Sequence, residues 1–228
     1  MSVVPYRFLF RTAHPCRYVA DIPREAADDL LDLPAECRID GYTEMDGQRS
    51  FADVRLAWNE SGIAVQVQVA HKEQDVVGDA SRPRHSDGVT LWLDTRGART
   101  SHRASRYCHQ FHFLAAGGGP ERDEPIFVQS KIHRAQQDAP FAPAGSVAFQ
   151  CLRRGSGYVL EAFLPAAALT GFDPEQNPRL GFHYAVHDHE LGNQTLSVGT
   201  DFPVADDPSL WSVLELVRPA KRARSRSR

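Results

Sequence analysis

No run in this sequence approaches the ~20 consecutive apolar residues that carry a helix across a bilayer. The opening stretch, MSVVPYRFLFRTAHP, interrupts its apolar residues with Pro5, Arg7 and Arg11. That leaves it short of the roughly 7–15 apolar residues of a secretory core. The four cysteines, at 16, 37, 108 and 151, lie far apart and form no C-x-x-C pair, so zinc-ribbon and thiol-redox motifs have no support. These features lead us to expect a soluble cytoplasmic protein with reduced thiols and no membrane partner. Nucleophile and phosphate motifs are also missing. There is no G-x-S-x-G, and GGGP at 117–120 is followed by no Lys-Ser/Thr and opens no helical pattern. Asp87, Asp94 and Glu161 are carboxylates in an acidic protein, and their spacing alone assigns them no acid–base role. The expectation is a protein that is not an enzyme.

The net charge of −3 hides a split, because the last eight residues, KRARSRSR, hold five basic groups and no acid. Without them the 26 basic residues fall to 21 against 29 acidic ones, so the body is acidic. The tail carries no aromatic residue on which a base could stack, so nucleic acid is not an expected partner beyond a weak salt-dependent contact. Too charged to build a core, it is read as a disordered end over 218–228, after one domain spanning 1–217.

What the chain does have is period-two alternation between turn residues, the mark of half-buried strands. In GIAVQVQVA (62–70), Ile63, Val65, Val67 and Val69 face one way and Gln66 and Gln68 the other. FADVRLAWN (51–59) precedes it across the turn NESG, which makes a hairpin. Further strands are expected at 89–94, 109–115, 125–133, 146–153, 157–165, 181–188, 195–199 and 210–217. Only AAALTG (166–171) and REAADDLLDL (24–33) look helical, and Asp28 and Asp29 break the apolar face of the second. The fold class expected is all-β, an antiparallel sandwich of jelly-roll or immunoglobulin-like type with very little helix.

Alternation also sorts the candidate functional residues. In HSDGVTLWLDTR (85–96), Val89, Leu91 and Leu93 point to the core, leaving Thr90 and Trp92 on the opposite face. Phe111 and Phe113 leave Gln110 and His112 outward, and Phe182, Tyr184 and Val186 leave His183, Ala185 and His187 outward. If these strands are sheet neighbours, Trp92 floors a wet, histidine-lined groove. Such a groove suits a polyol, since the ring face meets sugar C–H surfaces while imidazole, amide and hydroxyl groups meet ring hydroxyls. The competing reading covers Trp92 with a loop such as 70–86, or with the N-terminal segment, as a second core. The ten histidines open another route. His187 and His189, at i and i+2 on one side of a strand, could share a divalent metal with His112.

The order of these segments resembles the family 9 carbohydrate-binding modules and their DOMON-like relatives from about residue 40 to 217. IDGYTEM followed by ADVRLAWNESGIAVQVQV is similar to the family's acidic-glycine opening and first hairpin. Asp87–Asp94 is similar to its D-S-V strand, and Gln110-Phe111-His112 to its Q-F strand. GYVLEAFLP, GFHYAVHD and the closing DPSLWSVLEL complete the series. The resemblance implies a sandwich of two antiparallel sheets that binds a saccharide without catalysis, and no cofactor. In well-understood members two tryptophans clamp a sugar ring, and the matching positions here are Arg84 and Ala205. Family members use a Glu and an Arg where Thr90 and His112 stand, Gln110 matches, and the family's N-D pair corresponds to His187-Asp188. The ligand-binding set implied is therefore Arg84, Thr90, Trp92, Gln110, His112, His183, His187 and Asp188. The DOMON-like relatives add haem as an alternative ligand, for which Met45 is the only internal methionine, and an interaction domain that has lost its ligand site is the remaining alternative.

Overall fold

A computed structural model describes residue 8 and residues 12–24, 28–47 and 49–219. Among the described residues eleven strands carry the fold: β1 (Ala13–Tyr18), β2 (Ala52–Asn59), β3 (Gly62–Ala70), β4 (Gly88–Asp94), β5 (Cys108–Gly118), β6 (Glu124–Ser130), β7 (Ala148–Arg153), β8 (Gly157–Pro165), β9 (Arg179–Asp188), β10 (Gly192–Thr195) and β11 (Ser212–Val217). They form one hydrogen-bonded path, β6-β5-β4-β9-β11-β1-β2-β3-β8-β7, with β10 paired to β9.

The path folds into two facing layers. β6, β5, β4, β9 and β11 make one, and β2, β3, β8 and β7 the other. Apolar residues that alternation sends inward meet between them: Val89, Leu91, Phe111, Phe113, Phe182 and Tyr184 from the first layer, and Leu56, Val65, Val67, Tyr158 and Leu160 from the second. The Phe113 and Phe149 rings meet across the gap at 5.3 Å. Each such buried side chain contributes on the order of 1.5–3 kcal/mol, and this interior is what holds the sandwich closed.

The expected antiparallel sandwich is present, with one addition. β1 joins the two layers and pairs parallel with both neighbours, with β11 over Ala13–Arg17 and with β2 at Arg17 and Tyr18. Pro15, which has no N–H to give, lies where β1 has only β11 beside it, so no ladder bond toward β2 is lost. The segment expected at 195–199 is strand only up to Thr195, after which Leu196 and Val198 are buried outside any strand. AAALTG forms a single 3-10 turn, Ala166–Ala168. Residues 28–33 of the second helical candidate are not helical, and 25–27 lie outside the described residues. Leu31 and Leu33 instead pack with Ile22 and Cys37 over Ala57, Ala64 and Phe163, covering the outer face of the second layer.

The tail read as disordered lies outside the described residues from 220 onward. Its first residue is docked: Arg218 pairs with Glu60 at 2.7 Å and sits 5.1 Å over the Tyr18 and Trp58 rings.

Candidate binding cavity on the first layer

β4 lies between β5 and β9. In register, Thr90 faces His112 and Ala185, Trp92 faces Gln110 and His183, and Gly88 faces Leu114 and His187. The three segments are therefore neighbours, and the side chains that alternation set aside share one outer face. Gly88 is required at the entry to β4: with φ of 152°, a Cβ there would sit 2.2 Å from the Phe113 carbonyl oxygen.

That face is not open along its length. Trp92 retains only 3 % exposure and packs in a second core with Ala104, Cys108, Ile132, Val198, Val204 and Trp211. The cover comes from the segments after β4, β6 and β10, with Phe8 of the N-terminal segment packed against it and stacked on Phe202, and not from 70–86. At this end the polar residues bond to one another. Trp92 Nε1 donates to Gln110 Oε1 at 2.8 Å, and Gln110 Nε2 donates to Ser130 Oγ at 2.8 Å. His112 lies 2.9 Å from Thr90 Oγ1 through Nδ1 and 2.8 Å from Ser130 Oγ through Nε2. Burial, and secondarily the Arg84 charge, pushes the His112 pKa down to about 4, so the ring is neutral near pH 7.

Toward the start of β4 the cover stops and a cavity of about 330 Å³ remains. Thr90, Trp92 and Ala185 of the sheet line it, together with the paired residues His187 and Asn193 and with Thr200 and Asp201 from the segment after β10. Arg84 and Ala205, at the two positions where the resemblance implies a tryptophan clamp, both line it. His187 Nδ1 is 2.6 Å from Asn193 Oδ1, which fixes the ring. Of the eight residues named from sequence, Arg84, Thr90, Trp92, His183 and His187 line this cavity, and Gln110 and His112 do not.

Asp188 is on the other side of the sheet. It sits one residue beyond outward-facing His187, so alternation turns it inward. There Lys72 Nζ lies 3.1 Å from both Asp188 Oδ1 and Asp87 Oδ2, all three almost wholly buried. Backbone amides of Val77 and His189 donate to Asp87, and those of Glu190 and Leu191 to Asp188. Burial opposes the Lys72 charge, but its bonds to Asp87 and Asp188 outweigh that and hold its pKa above the usual lysine value. The cluster pins the 71–87 loop and the β9–β10 turn to the sheet.

The metal reading of His187, His189 and His112 is not supported. The first two rings are 5.9 Å apart at the strand end. His112 is across β4 in its own hydrogen-bond network, and among the described residues no group of three His, Cys, Asp or Glu side chains could hold a metal ion. Met45 lies in the 3-10 turn Thr43–Asp46 and is 43 % exposed.

With this geometry in place, comparison with known proteins is decisive at the family level. The family model described as "Carbohydrate family 9 binding domain-like" matches residues 27–218. The chain belongs to this family. Two solved structures of a family 9 carbohydrate-binding module from Caldicellulosiruptor kristjanssonii share the fold of this family 9 domain. One, in complex with cellotriose, has a TM-score of 0.56 at 15 % identity and covers 93 % of this chain and 97 % of its own. The other, in complex with glucose, has a TM-score of 0.56 at 16 % identity and covers 92 % and 98 %. A comparison with functionally curated proteins returns no significant match.

Sequence reasoning did not find Lys72, Asn193, Thr200 or Asp201 as neighbours of this family 9 domain's candidate residues. Lys72, Thr200 and Asp201 lie on loops whose return over the sheet follows no periodicity, and Asn193 lies on the four-residue strand β10, too short to show one.

Proposed function

We propose that this family 9 domain binds a saccharide non-catalytically in the cavity over the start of β4 and β9. The carrying observation is the cavity of about 330 Å³ bounded by the two positions, Arg84 and Ala205, that correspond to the family's sugar clamp. Its chemistry supports the reading. Trp92 and Ala185 offer apolar contact, while Thr90, His187, Asn193, Thr200 and Asp201 supply donors and acceptors around it. A ligand so held is oriented and shielded from water. Among the described residues that line the cavity, Asp201 brings the one carboxylate, with no second across the space, so the arrangement fits binding and not glycoside hydrolysis by a carboxylate pair.

The test is calorimetric titration with an oligosaccharide panel, including the cello- and gluco-oligosaccharides suggested by the C. kristjanssonii structures. His187→Ala and Asn193→Ala change rim residues, so far-ultraviolet circular dichroism should be preserved. Each should weaken binding about fivefold or more, the cost of losing one or two hydrogen bonds. Binding unchanged in both variants would move the ligand elsewhere.

A further inference from the structure

The clamp position that faces the cavity from the 3-10 turn Pro83–His85 holds a cation, not an aromatic ring. No carboxylate among the described residues lies within ion-pair distance of Arg84, whereas Arg24, Arg38, Arg55, Arg82, Arg153, Arg154 and Arg218 each have one. Asp201 lines the same cavity but does not pair with Arg84. Arg84 lines the cavity together with Thr90 and Trp92, and its charge reaches His112 beneath that face. Arg84 thus brings up to five N–H donors in a rigid fork to a cavity wall, with no internal acceptor of opposite charge.

The arginine-rich loop that follows β4 lies outside this cavity. The 95–107 loop, TRGARTSHRASRY, carries Arg96, Arg99, Arg103 and Arg106 and no acid. None of the four makes an ion pair among the described residues; Arg96 and Arg106 lie against the Tyr107 ring and Arg103 donates to the Arg134 carbonyl. This loop is tied to the cavity's lid, because His102 Nδ1 sits 3.0 Å from both Asp207 Oδ2 and Ser209 Oγ. Asp207 is thereby occupied, leaving Asp201 and Asp206 as the lid's acids. These arginines line no part of the cavity, and Arg96 also acts on the Asp94 charge, so the cation on the cavity wall is Arg84.

We infer that the saccharide taken here carries a carboxylate, as a hexuronate does, and that this carboxylate seats on Arg84 while ring hydroxyls reach Asp201 and Asn193. The inference rests on the binding reading above and narrows it to acidic sugars. A planar guanidinium meets a carboxylate through two parallel hydrogen bonds, which are stronger than those to a neutral hydroxyl.

The experiment titrates wild type with the trisaccharides of galacturonate and glucuronate and with their neutral galactose and glucose counterparts, at low and at physiological salt. An acidic trisaccharide is expected to bind about tenfold or more tighter than its neutral counterpart, with the ratio shrinking as salt rises. Arg84→Gln should bring that ratio close to one, and Arg84→Lys should keep part of it, since a point charge lacks the fork. Neutral sugars bound as well as acidic ones, or a preference that survives Arg84→Gln, overturns the acidic assignment and leaves saccharide binding standing. If no member of the panel binds wild type, both this inference and the binding reading fall.

Discussion

Thr90 Oγ1 lies 2.9 Å from His112 Nδ1 across the β4–β5 ladder, and this short contact decides what His112 does. With Nε2 bonded to Ser130 Oγ, both ring nitrogens are occupied and the ring is wholly buried. His112 ties β4, β5 and β6 together beneath the lid and presents nothing to the cavity beside it. His112→Ala removes two hydrogen bonds and leaves a hole beside Trp92, so unfolding stability should fall by about 2–4 kcal/mol. Equilibrium urea denaturation measures the loss. A variant as stable as wild type would contradict the network.

Lys72 lies between two buried carboxylates, 3.1 Å from each. Its removal leaves Asp87 and Asp188 charged and uncompensated inside the protein, so Lys72→Met should cost about 3–5 kcal/mol. Adding Asp188→Asn to Lys72→Met should recover part of that loss, because one buried charge then has no counter-ion to miss. Thermal denaturation of the single and double variants checks the order. Because the Lys72 pKa is raised on folding, the stability this pairing contributes is full below the ordinary lysine pKa of about 10.4 and is lost as pH rises through the higher folded value.

Acid acts through the histidines. Burial pushes His112 and His109 down to about 4, in His109 against the favourable pull of the Thr170 backbone. The unfolded chain titrates near 6.5 and so takes up protons first as pH falls. The stability tied to these rings is therefore full above about pH 6.5, declines as pH drops toward 4 and levels off below, by up to about 3 kcal/mol for each ring. His109 stacks on Phe111 with ring centroids 5.5 Å apart, so His109→Phe keeps the shape and removes one titrating group. Urea midpoints between pH 7 and pH 4 should fall less in this variant than in wild type. Parallel curves would assign the acid sensitivity to other groups.

Much of the architecture is legible in the alternation of single strands. Val89/Leu91/Leu93, Phe111/Phe113 and Phe182/Tyr184/Val186 all face the interior as read, because half-buried strands must separate apolar from polar side chains every second residue. β1 escapes that logic. Its buried positions are His14 and Cys16 around Pro15, and it is held in parallel mainly by β11, from the far end of the chain. The outer face was legible as a grouping but not as an exposure. Trp92 sends its indole into a second core because Val198, Val204 and Trp211 return over it, a tertiary event with no local signal. Asp188 shows the opposite failure: its neighbour His187 does line the cavity, and the resemblance carried both residues together although alternation places them on opposite faces.

The outer face of the second layer holds a buried carboxylate that sequence alone left without a role. Glu161 stands between Gln66 and Gln150 across three strands, and accepts from Gln66 Nε2 at 2.7 Å, Gln150 Nε2 at 2.7 Å and the Leu31 amide at 3.2 Å. With both oxygens engaged and the residue only 2 % exposed, it serves as the acceptor that fastens the 28–33 segment to the sheet and not as an acid or base for a ligand. Glu161→Ala strands three donors in a covered site and should cost about 2–4 kcal/mol. The loss should be local as well as global, since Leu31 and Leu33 cover Ala57, Ala64 and Phe163 only while that segment is held. Amide exchange at Leu31 should accelerate in Glu161→Ala by more than the global destabilisation predicts, while amides of β4 and β9 follow the global change. Equal acceleration across both layers would mean that the carboxylate supports the sandwich as a whole and not this one attachment.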